Sequence, residues 1–385
     1  MRVAHIITRM IVGGAQENTL LNCQDLIRIH GDEVLLITGP ALGPEGDLLA
    51  QSGGGGVPVK LIPSLRRAIN PLRDAASYRA IRRCLREFRP DVVHTHSAKG
   101  GVLGRIAAWS LRVPAIVHTV HGAPFHEYQS FLARKTFQIC ERYAANRCHR
   151  MISVADAMTD LLVKAGIAPR EKFTTVYSGM EVDPFLNADI HRARMRRELG
   201  FSDHDFVIGK IARLFHLKGH EYVLAAARDL VTRHPQIRLL FVGDGILRER
   251  YEQEIRGSVL EGKVRFTGLV APERVPELIS AMDALVHASL REGLARALPQ
   301  ALLAGKPVVS FDIDGAREVC RSGETGFLIP PCDTQALGQA MERLVVDRQL
   351  CERLGLAGRS LCEPRFRHET MTQQLRNIYE SITAR

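Results

Sequence analysis

The sequence predicts an α/β protein made of two doubly wound units in tandem, and three observations carry that expectation. Short β-branched runs alternate with amphipathic helical stretches, the rhythm of parallel strands joined by crossover helices. It pauses over Ser178–Asn187, which holds Gly179 and Pro184 and shows no periodicity, and then begins again. A chain of 385 residues also suits two domains better than one or three.

The first run, Val3–Thr8, leads into Gly13-Gly14-Ala15 and an apolar helical stretch. Glycine amides at a helix N-terminus admit an anion or a sugar closely, although a tight strand-to-helix turn explains the same residues. Glu33–Thr38 and Val57–Ile62 follow, separated by the four glycines Gly53–Gly56, which read as a flexible loop. Leu72–Phe88 is an amphipathic helix. Arg79, Arg82, Arg83 and Arg86 share one face by 3.6 periodicity, and Ile81, Cys84, Leu85 and Phe88 share the other. The apolar face suits packing on a sheet, and the basic face adds an expectation of reversible docking on anionic membrane. Asp91–His94, Ala115–Val120, Met151–Val154 and Phe173–Val176 complete the first unit. His94 and His96 lie on one strand face, with His118 and His121 at the next strand. No carboxylate or metal-type spacing accompanies them, so core or cleft hydrogen bonding is the expected role of His94, His96 and His118.

The second unit opens with Phe206–Ala212, whose end carries Arg213 and then Lys218-Gly219 just before a helix. A guanidinium fork and a mobile ammonium together suit a diphosphate, and a solvated basic loop is the plainer alternative. Ile237–Val242, Val264–Thr267, Ala284–His287, Pro307–Phe311 and Phe327–Ile329 supply the remaining strands. Between the last pair but one lies Ser289–Pro307, in which Pro299 suits a first helical position and Gly305 a stop. Gln300 then falls in the first helical turn and Glu292 in the loop before it.

Composition narrows the function classes. With 45% hydrophobic and 24% charged residues the chain is globular. No apolar run reaches the ~18 residues of a membrane-spanning helix. Arg9 and Gly13-Gly14 interrupt the N-terminal apolar stretch, so a signal peptide is not expected and a cytoplasmic protein is. The eight cysteines show no C-x-x-C and no repeated spacing, which argues against a zinc site or disulfide framework. A net charge of +10 favours an anionic partner without choosing among nucleic acid, membrane surface and phosphorylated substrate.

Taken in order, Gly13-Gly14, Asp91-Val-Val-His94-Thr-His96-Ser97, His121-Gly122, Arg213/Lys218, Val242-Gly243-Asp244-Gly245, Thr267-Gly268 and Glu292 to Gln300 resemble the retaining GT-B glycosyltransferases of family 4. The likeness covers nearly the whole chain, including the linker Ser178-Gly179-Met-Glu-Val-Asp183. It implies two Rossmann-like domains facing across a cleft, an acceptor-side domain over residues 1–184 and a donor-binding domain over 185–365. A C-terminal helix at about 366–385 is expected to pack back on the first. One departure stands out, since the family often pairs two glutamates where this chain pairs Glu292 with Gln300. An amide still donates to or accepts from a ribose diol.

The resemblance further implies that His121, Arg213, Lys218 and Glu292 serve the chemistry. Arg213 and Lys218 would meet the diphosphate, and Glu292 and His121 the sugar. Gly14, Gly243, Gly293, Leu294, Ala295 and Gln300 would border the donor, and Ser97 and Lys99 the acceptor. The expected partners are a nucleotide-sugar donor and a glycan, lipid-linked or small-molecule acceptor, with peripheral contact to anionic membrane and no nucleic acid. No cofactor and no divalent metal are expected, although Asp312-Ile313-Asp314 spells a D-x-D, because Arg213, Lys218 and a helix N-terminus already supply positive potential. A Rossmann-type oxidoreductase fits worse, because it needs G-x-G-x-x-G after the first strand. A noncatalytic nucleotide- or polyanion-binding module would not need Glu292 beside a diphosphate site.

Overall fold

In the computed structural model, which describes residues 1–43, 46–51, 53–126 and 128–384, the chain divides into two compact units. One comprises Met1–Met180 with the segment from Arg365 onward, the other Glu181–Pro364.

The N-terminal unit is built on β1 (Arg2–Arg9), β2 (Glu33–Gly39), β3 (Val59–Leu61), β4 (Val92–His96), β5 (Ala115–Val120), β6 (Arg150–Ser153) and β7 (Phe173–Thr175). They form a parallel seven-stranded sheet in the order β3-β2-β1-β4-β5-β6-β7. The central strands are buried almost throughout because helices cover both faces of such a sheet, whereas the edge strand β3 is exposed. The order reverses between β1 and β4, so Val3 to Ile6 lie in register with Val92 to Thr95. That junction is the switch point where doubly wound sheets bind ligands. The helix Pro71–Phe88 buries Ile81, Cys84 and Leu85 and starts at an Asn70 cap whose side chain accepts from Arg73 N.

The unit is closed by the last helix, His368–Thr383, packed on the helix Gly14–Arg28. The seam is polar as well as apolar. Thr372 Oγ1 donates to Asp25 Oδ2 at 2.9 Å, Asn22 Nδ2 donates to Thr372 Oγ1 at 3.0 Å, and Arg376 reaches Asp32 at 3.1 Å. Met371, Leu375 and Tyr379 from the same helix enter the core beside Val3, Ile7 and Val92.

The C-terminal unit repeats the plan with β8 (Phe206–Ile211), β9 (Ile237–Val242), β10 (Val264–Phe266), β11 (Ala284–His287), β12 (Val308–Phe311) and β13 (Gly326–Ile329). Its parallel six-stranded sheet runs β10-β9-β8-β11-β12-β13 and again reverses beside its first strand, between β8 and β11. Phe206, Ile208, Leu239, Phe241, Val286 and Phe311 form the centre of its core with Leu224, Leu230, Leu337 and Leu344 from the flanking helices. Among the described residues no helix is long and apolar enough to cross a membrane.

Two sequence expectations are corrected. Val57–Ile62 yields only the short edge strand β3, preceded by the Gly53–Gly56 loop with positive φ throughout. Pro299 is not the first helical residue but the third of Ala297–Leu303. Amides of the first helical turn lack intrahelical acceptors, so proline costs no hydrogen bond there either.

Candidate functional site

At the switch point of the C-terminal unit, β8 ends at Ile211 and a tight loop leads to the helix His220–Arg233. The loop is laid against the chain leaving β11. Leu217, at φ +65°, accepts from Leu290 N at 2.8 Å, and Gly219 sits so close that a Cβ there would lie 1.8 Å from the Ala288 carbonyl oxygen. Gly219 at φ +68° therefore admits no other residue without moving the loop.

This junction brings Lys218 to Glu292, with Nζ 2.6 Å from Oε1 and the two side chains only 20% and 22% exposed. His287 Nε2 stands 3.5 Å from the same oxygen. The Glu292 amide donates to Asp314 Oδ2 at 2.7 Å, and Gly315 N donates to Gly293 O at 3.0 Å, so the Glu292 loop is pinned to the turn after β12. Burial pushes the Glu292 carboxyl up, but contact with His287 and the charge of Lys218 outweigh it and hold the group well below the usual carboxylate range. Glu292 is thus an anion that accepts hydrogen bonds at neutral pH, a property suited to sugar hydroxyls.

Behind the pair lies a group of buried nitrogens that sequence reasoning missed. Lys210 is fully buried with no hydrogen-bond partner on Nζ, and burial, reinforced by the charge of Lys218, brings its pKa down to about 7. His220 is brought down to about 2 by burial and by the charges of Lys210, His287 and Lys218. Both ring nitrogens of His220 and Nδ1 of His287 also lack hydrogen-bond partners, and His287 Nε2 has only its 3.5 Å contact with Glu292. The signal available in the sequence was Lys210 itself, a cation inside an apolar strand.

The other expected donor-side residues surround this junction. Gly243, at φ +132°, donates to Gly268 O at 3.2 Å, and a Cβ there would lie 2.3 Å from Ala212 O, which ties β9 to the Arg213 loop. Arg213 is exposed, its guanidinium 5.0 Å from the Phe215 ring centroid. Gly293 and Ala295 are buried, and Leu294 and Gln300 partly buried. Asp312 is engaged by Arg317 at 2.9 and 3.0 Å, while Asp314 holds the Glu292 amide, so the D-x-D carboxylates serve different internal contacts.

In the N-terminal unit the helix Gly14–Arg28 begins at Gly13, whose carbonyl accepts from Gln16 and Glu17. Ser97, at φ +59°, shares a 2.7 Å hydrogen bond with Thr8 Oγ1, which also accepts from Gly100 N at 2.9 Å. Ser97 is therefore placed at the junction of β1 and β4. Lys99 is turned elsewhere, with its ammonium on the Ala68 carbonyl and 2.7 Å from Asp74.

Four imidazoles meet at this junction, one of them, His5, unremarked in the sequence. His5 Nδ1 is 3.0 Å from His96 Nε2, and His96 Nδ1 is 3.2 Å from His121 Nε2. His94 is satisfied on both sides, by Tyr379 Oη at 2.5 Å and Thr119 Oγ1 at 2.7 Å. His118 is not part of this group. It is in register with Thr95, so it projects from the opposite face to His94 and His96, and it lies 3.7 Å from Glu141. Burial holds His5 at about 3 and, helped by neighbouring imidazoles, keeps His94 and His96 well below the ordinary histidine value. Among the described residues His5, His94 and His96 are the grouping compact enough for a metal ion, but the contacts of His94 already use both of its nitrogens.

Comparison with known proteins agrees with this architecture. The family of glycosyl transferases group 1 matches residues 191–361, and the glycosyl transferase 4-like domain family matches residues 14–179. The UDP-Gal:alpha-D-GlcNAc-diphosphoundecaprenol alpha-1,3-galactosyltransferase of Escherichia coli is 28% identical over 91% of this chain and 89% of its own. The putative glycosyltransferase EpsD of Bacillus subtilis is 28% identical over 83% and 84%. Among solved structures, Anabaena HepE in complex with UDP-glucose superimposes with a TM-score of 0.81 at 24% identity, over 99% of this chain and 100% of that one. Sucrose-phosphate synthase from Thermosynechococcus elongatus gives 0.81 at 20% identity, over 100% and 99%. Both structures share the GT-B fold of two Rossmann-like domains.

Proposed function

Because this chain belongs to the group 1 glycosyl transferases, we propose that it moves a sugar from a nucleoside-diphosphate sugar to an acceptor with retention of anomeric configuration. The observation that carries this reading is the Lys218–Glu292 pair, a cation and a hydrogen-bond-accepting carboxylate 2.6 Å apart where the sheet order reverses. In this reading Lys218 and Arg213 take up negative charge on the departing diphosphate, Glu292 holds sugar hydroxyls and Gln300 the ribose. Gly14, Gly243, Gly293, Leu294 and Ala295 line the donor, His121 contacts its sugar, and Ser97 borders the acceptor. Lys99, bound to Asp74, would serve the acceptor only by exchanging that partner. The bond from the anomeric carbon to the diphosphate breaks as the acceptor oxygen attacks from the same face, and the acceptor proton passes to the departing phosphate oxygen. No metal or cofactor is assigned to the step. A uridine nucleotide is favoured, since the E. coli relative is named for UDP-galactose and HepE binds UDP-glucose. The test offers UDP- and GDP-sugars separately, follows release of nucleoside diphosphate, and reads the product anomer by NMR. Failure to release diphosphate from any of them, or an inverted product, overturns the reading.

Work in surface polysaccharide or glycolipid synthesis on the cytoplasmic side of an anionic membrane is part of the same proposal. Its support shifts, however, from the helix Pro71–Phe88, which spends its apolar face on the core, to the helix Phe131–Ala145. There Phe131, Leu132, Ile139 and Tyr143 are 63, 78, 63 and 49% exposed, interleaved with Arg134, Lys135 and Arg142. Exposed apolar groups flanked by cations suit the interface of an anionic bilayer. Flotation with anionic liposomes is expected to carry the protein, and Leu132→Ser with Ile139→Ser to abolish it. Equal flotation of that variant would remove the helix from the explanation.

A further inference from the structure

We infer that His5 and His96 form a buried imidazole chain that holds His121 in the tautomer with its hydrogen on Nδ1, making His121 a hydrogen-bond donor at that atom. Only His121 is a group for the substrate, and this last point rests on the function proposed above. His5 and His96 are positioning residues.

The inference starts from geometry. His5 Nδ1, His96 Nε2, His96 Nδ1 and His121 Nε2 follow one another with gaps of 3.0 and 3.2 Å across His5–His96 and His96–His121. The rings are near parallel, with interplanar angles of 14° and 27° at the two junctions. His5 and His96 are 0% and 1% exposed, so they cannot exchange these bonds for water. Burial keeps both rings neutral at pH 7. Each neutral ring then carries one hydrogen and one lone pair, and two hydrogen bonds can run along the chain in only two ways.

The choice between the two directions falls on His5 Nε2, the inner end, which is buried and has no partner. If the hydrogens pointed inward, from His121 toward His5, an N–H would be left in the core without an acceptor. If they point outward, the atom left over is a bare lone pair. Orphaned buried N–H groups are the rarer defect. Outward polarity puts hydrogen on His5 Nδ1 and His96 Nδ1 and leaves His121 Nε2 as the acceptor. His121 must then bear its own hydrogen on Nδ1.

His94 does not compete for this chain. Tyr379 Oη and Thr119 Oγ1 occupy its two nitrogens. The buried phenol stays protonated, its pKa raised by burial, and its hydroxyl has His94 Nδ1 as its one hydrogen-bond partner among the described residues, so it donates there and His94 carries hydrogen on Nε2. Two neighbouring histidines on β4, His94 and His96, are thus expected in opposite tautomers, a pattern that mere burial would not produce.

The experiment is 15N-histidine NMR of the full chain, which reports for each ring which nitrogen is protonated. The expected result is Nδ1–H for His5, His96 and His121 and Nε2–H for His94. Asparagine places an amide nitrogen where His96 has Nδ1, so His96→Asn should preserve Nδ1–H on His121 and most of the turnover. His96→Leu should release His121 to a mixture of tautomers and lower kcat about tenfold, with donor KM changed less, since a wrong tautomer costs chemistry more than binding. Nε2–H on His121 in the native protein, or an unchanged His121 tautomer in folded His96→Leu, overturns the inference. Should His96→Leu fail to fold, the native spectrum and His96→Asn still decide. The native tautomers with full turnover by His96→Leu would leave the chain standing and remove His121 from the site.

Discussion

The two units share one strand order but differ in where their unpartnered buried polar atoms lie. In the N-terminal unit the buried atoms without hydrogen-bond partners are scattered, among them His5 Nε2, Asn22 Oδ1 and Glu141 Oε1, while His94 is held between Tyr379 and Thr119 and Ser97 on Thr8. In the C-terminal unit such atoms gather beside the Lys218–Glu292 pair: Lys210 Nζ, both nitrogens of His220 and Nδ1 of His287, whose Nε2 has only a 3.5 Å contact with Glu292. Unpaired buried nitrogens cost stability, so their concentration at one place is a price that the fold itself does not require. The first unit spreads its unpartnered atoms through the scaffold, and the second gathers basic nitrogen where the leaving group's negative charge is proposed to develop.

Substitution of Lys218 puts the largest strain on this contrast. Lys218→Ala should lower kcat by roughly 10² to 10³ with a smaller change in donor KM, because the diphosphate carries more charge in the transition state than in the bound donor. Arg213→Ala should act in the same direction. Steady-state kinetics of both variants check this. A change confined to KM would mean that the cations serve binding alone, and near-normal rates would move the site elsewhere.

The scaffold half of the comparison is tested at Tyr379. Tyr379→Phe removes the hydroxyl on His94 Nδ1 and leaves a buried nitrogen unpaired, a loss of about 1 to 3 kcal/mol. Thermal or urea unfolding should show it while kcat stays within about twofold, as expected of a group serving structure. A large kcat loss with unchanged stability would contradict the division between the units.

The residues on the two sides of this contrast were not equally legible. The central strands were readable as β-branched runs, because strands buried on both faces must be largely apolar, and the exposed edge strand β3 was read too long. Lys218 and Glu292 were readable as candidates but not as partners. They are 74 positions apart, and only the adjacency of β8 and β11 joins them. His5 was missed for the same reason, since its neighbours His94 and His96 come from a strand 91 residues further on. The doubly wound order itself held that signal, as it sets the first strand beside the fourth. His118 makes the core hydrogen bond expected of it, to Thr95 Oγ1 at 2.9 Å, but on the face away from His94 and His96, a side set by register with Thr95 that spacing within one strand does not reveal. The exposed apolar side of Phe131–Ala145 was illegible because a core-facing stripe and a solvent-facing one have the same periodicity.

Lys210 gives a smaller effect with a definite sign. Its ordinary pKa of 10.5 falls to about 7 in the folded protein, so between those values the unfolded chain binds more protons than the folded one. Stability therefore rises with pH across that window, by at most about 1.4 kcal/mol per unit, and below pH 7 the full cost of the buried charge applies. Lys210→Met should be more stable than the native protein at pH 6.5, with the difference shrinking toward pH 9. Melting temperatures of the two proteins along the same pH series isolate this group, because other titrations cancel. Parallel curves would show that Glu292 compensates the Lys210 charge, and the second unit would then be as well satisfied as the first.

The smallest expected effect is that of removing divalent metal. If the buried basic nitrogens stand ready for the leaving group, a cation would duplicate a service already provided by Lys218 and Arg213. The carboxylates that would hold it are also committed. Asp312 receives three hydrogen bonds from Arg317, and Asp314, in a left-handed backbone conformation at φ +44°, holds the Glu292 amide. Recruiting both to a magnesium ion would break the contact that pins the Glu292 loop. Magnesium is commonly held by only one or two carboxylates with substrate phosphates, so this commitment is what must be tested. Transfer at saturating donor in excess EDTA should stay within about twofold of the untreated rate, and added magnesium or manganese should not raise it. Activity lost in EDTA and restored by metal would show that the Asp314–Glu292 contact opens during turnover. Asp314→Asn, which keeps an acceptor for the amide but loses the charge a cation needs, would then separate the two roles, falling in rate only if metal is held there.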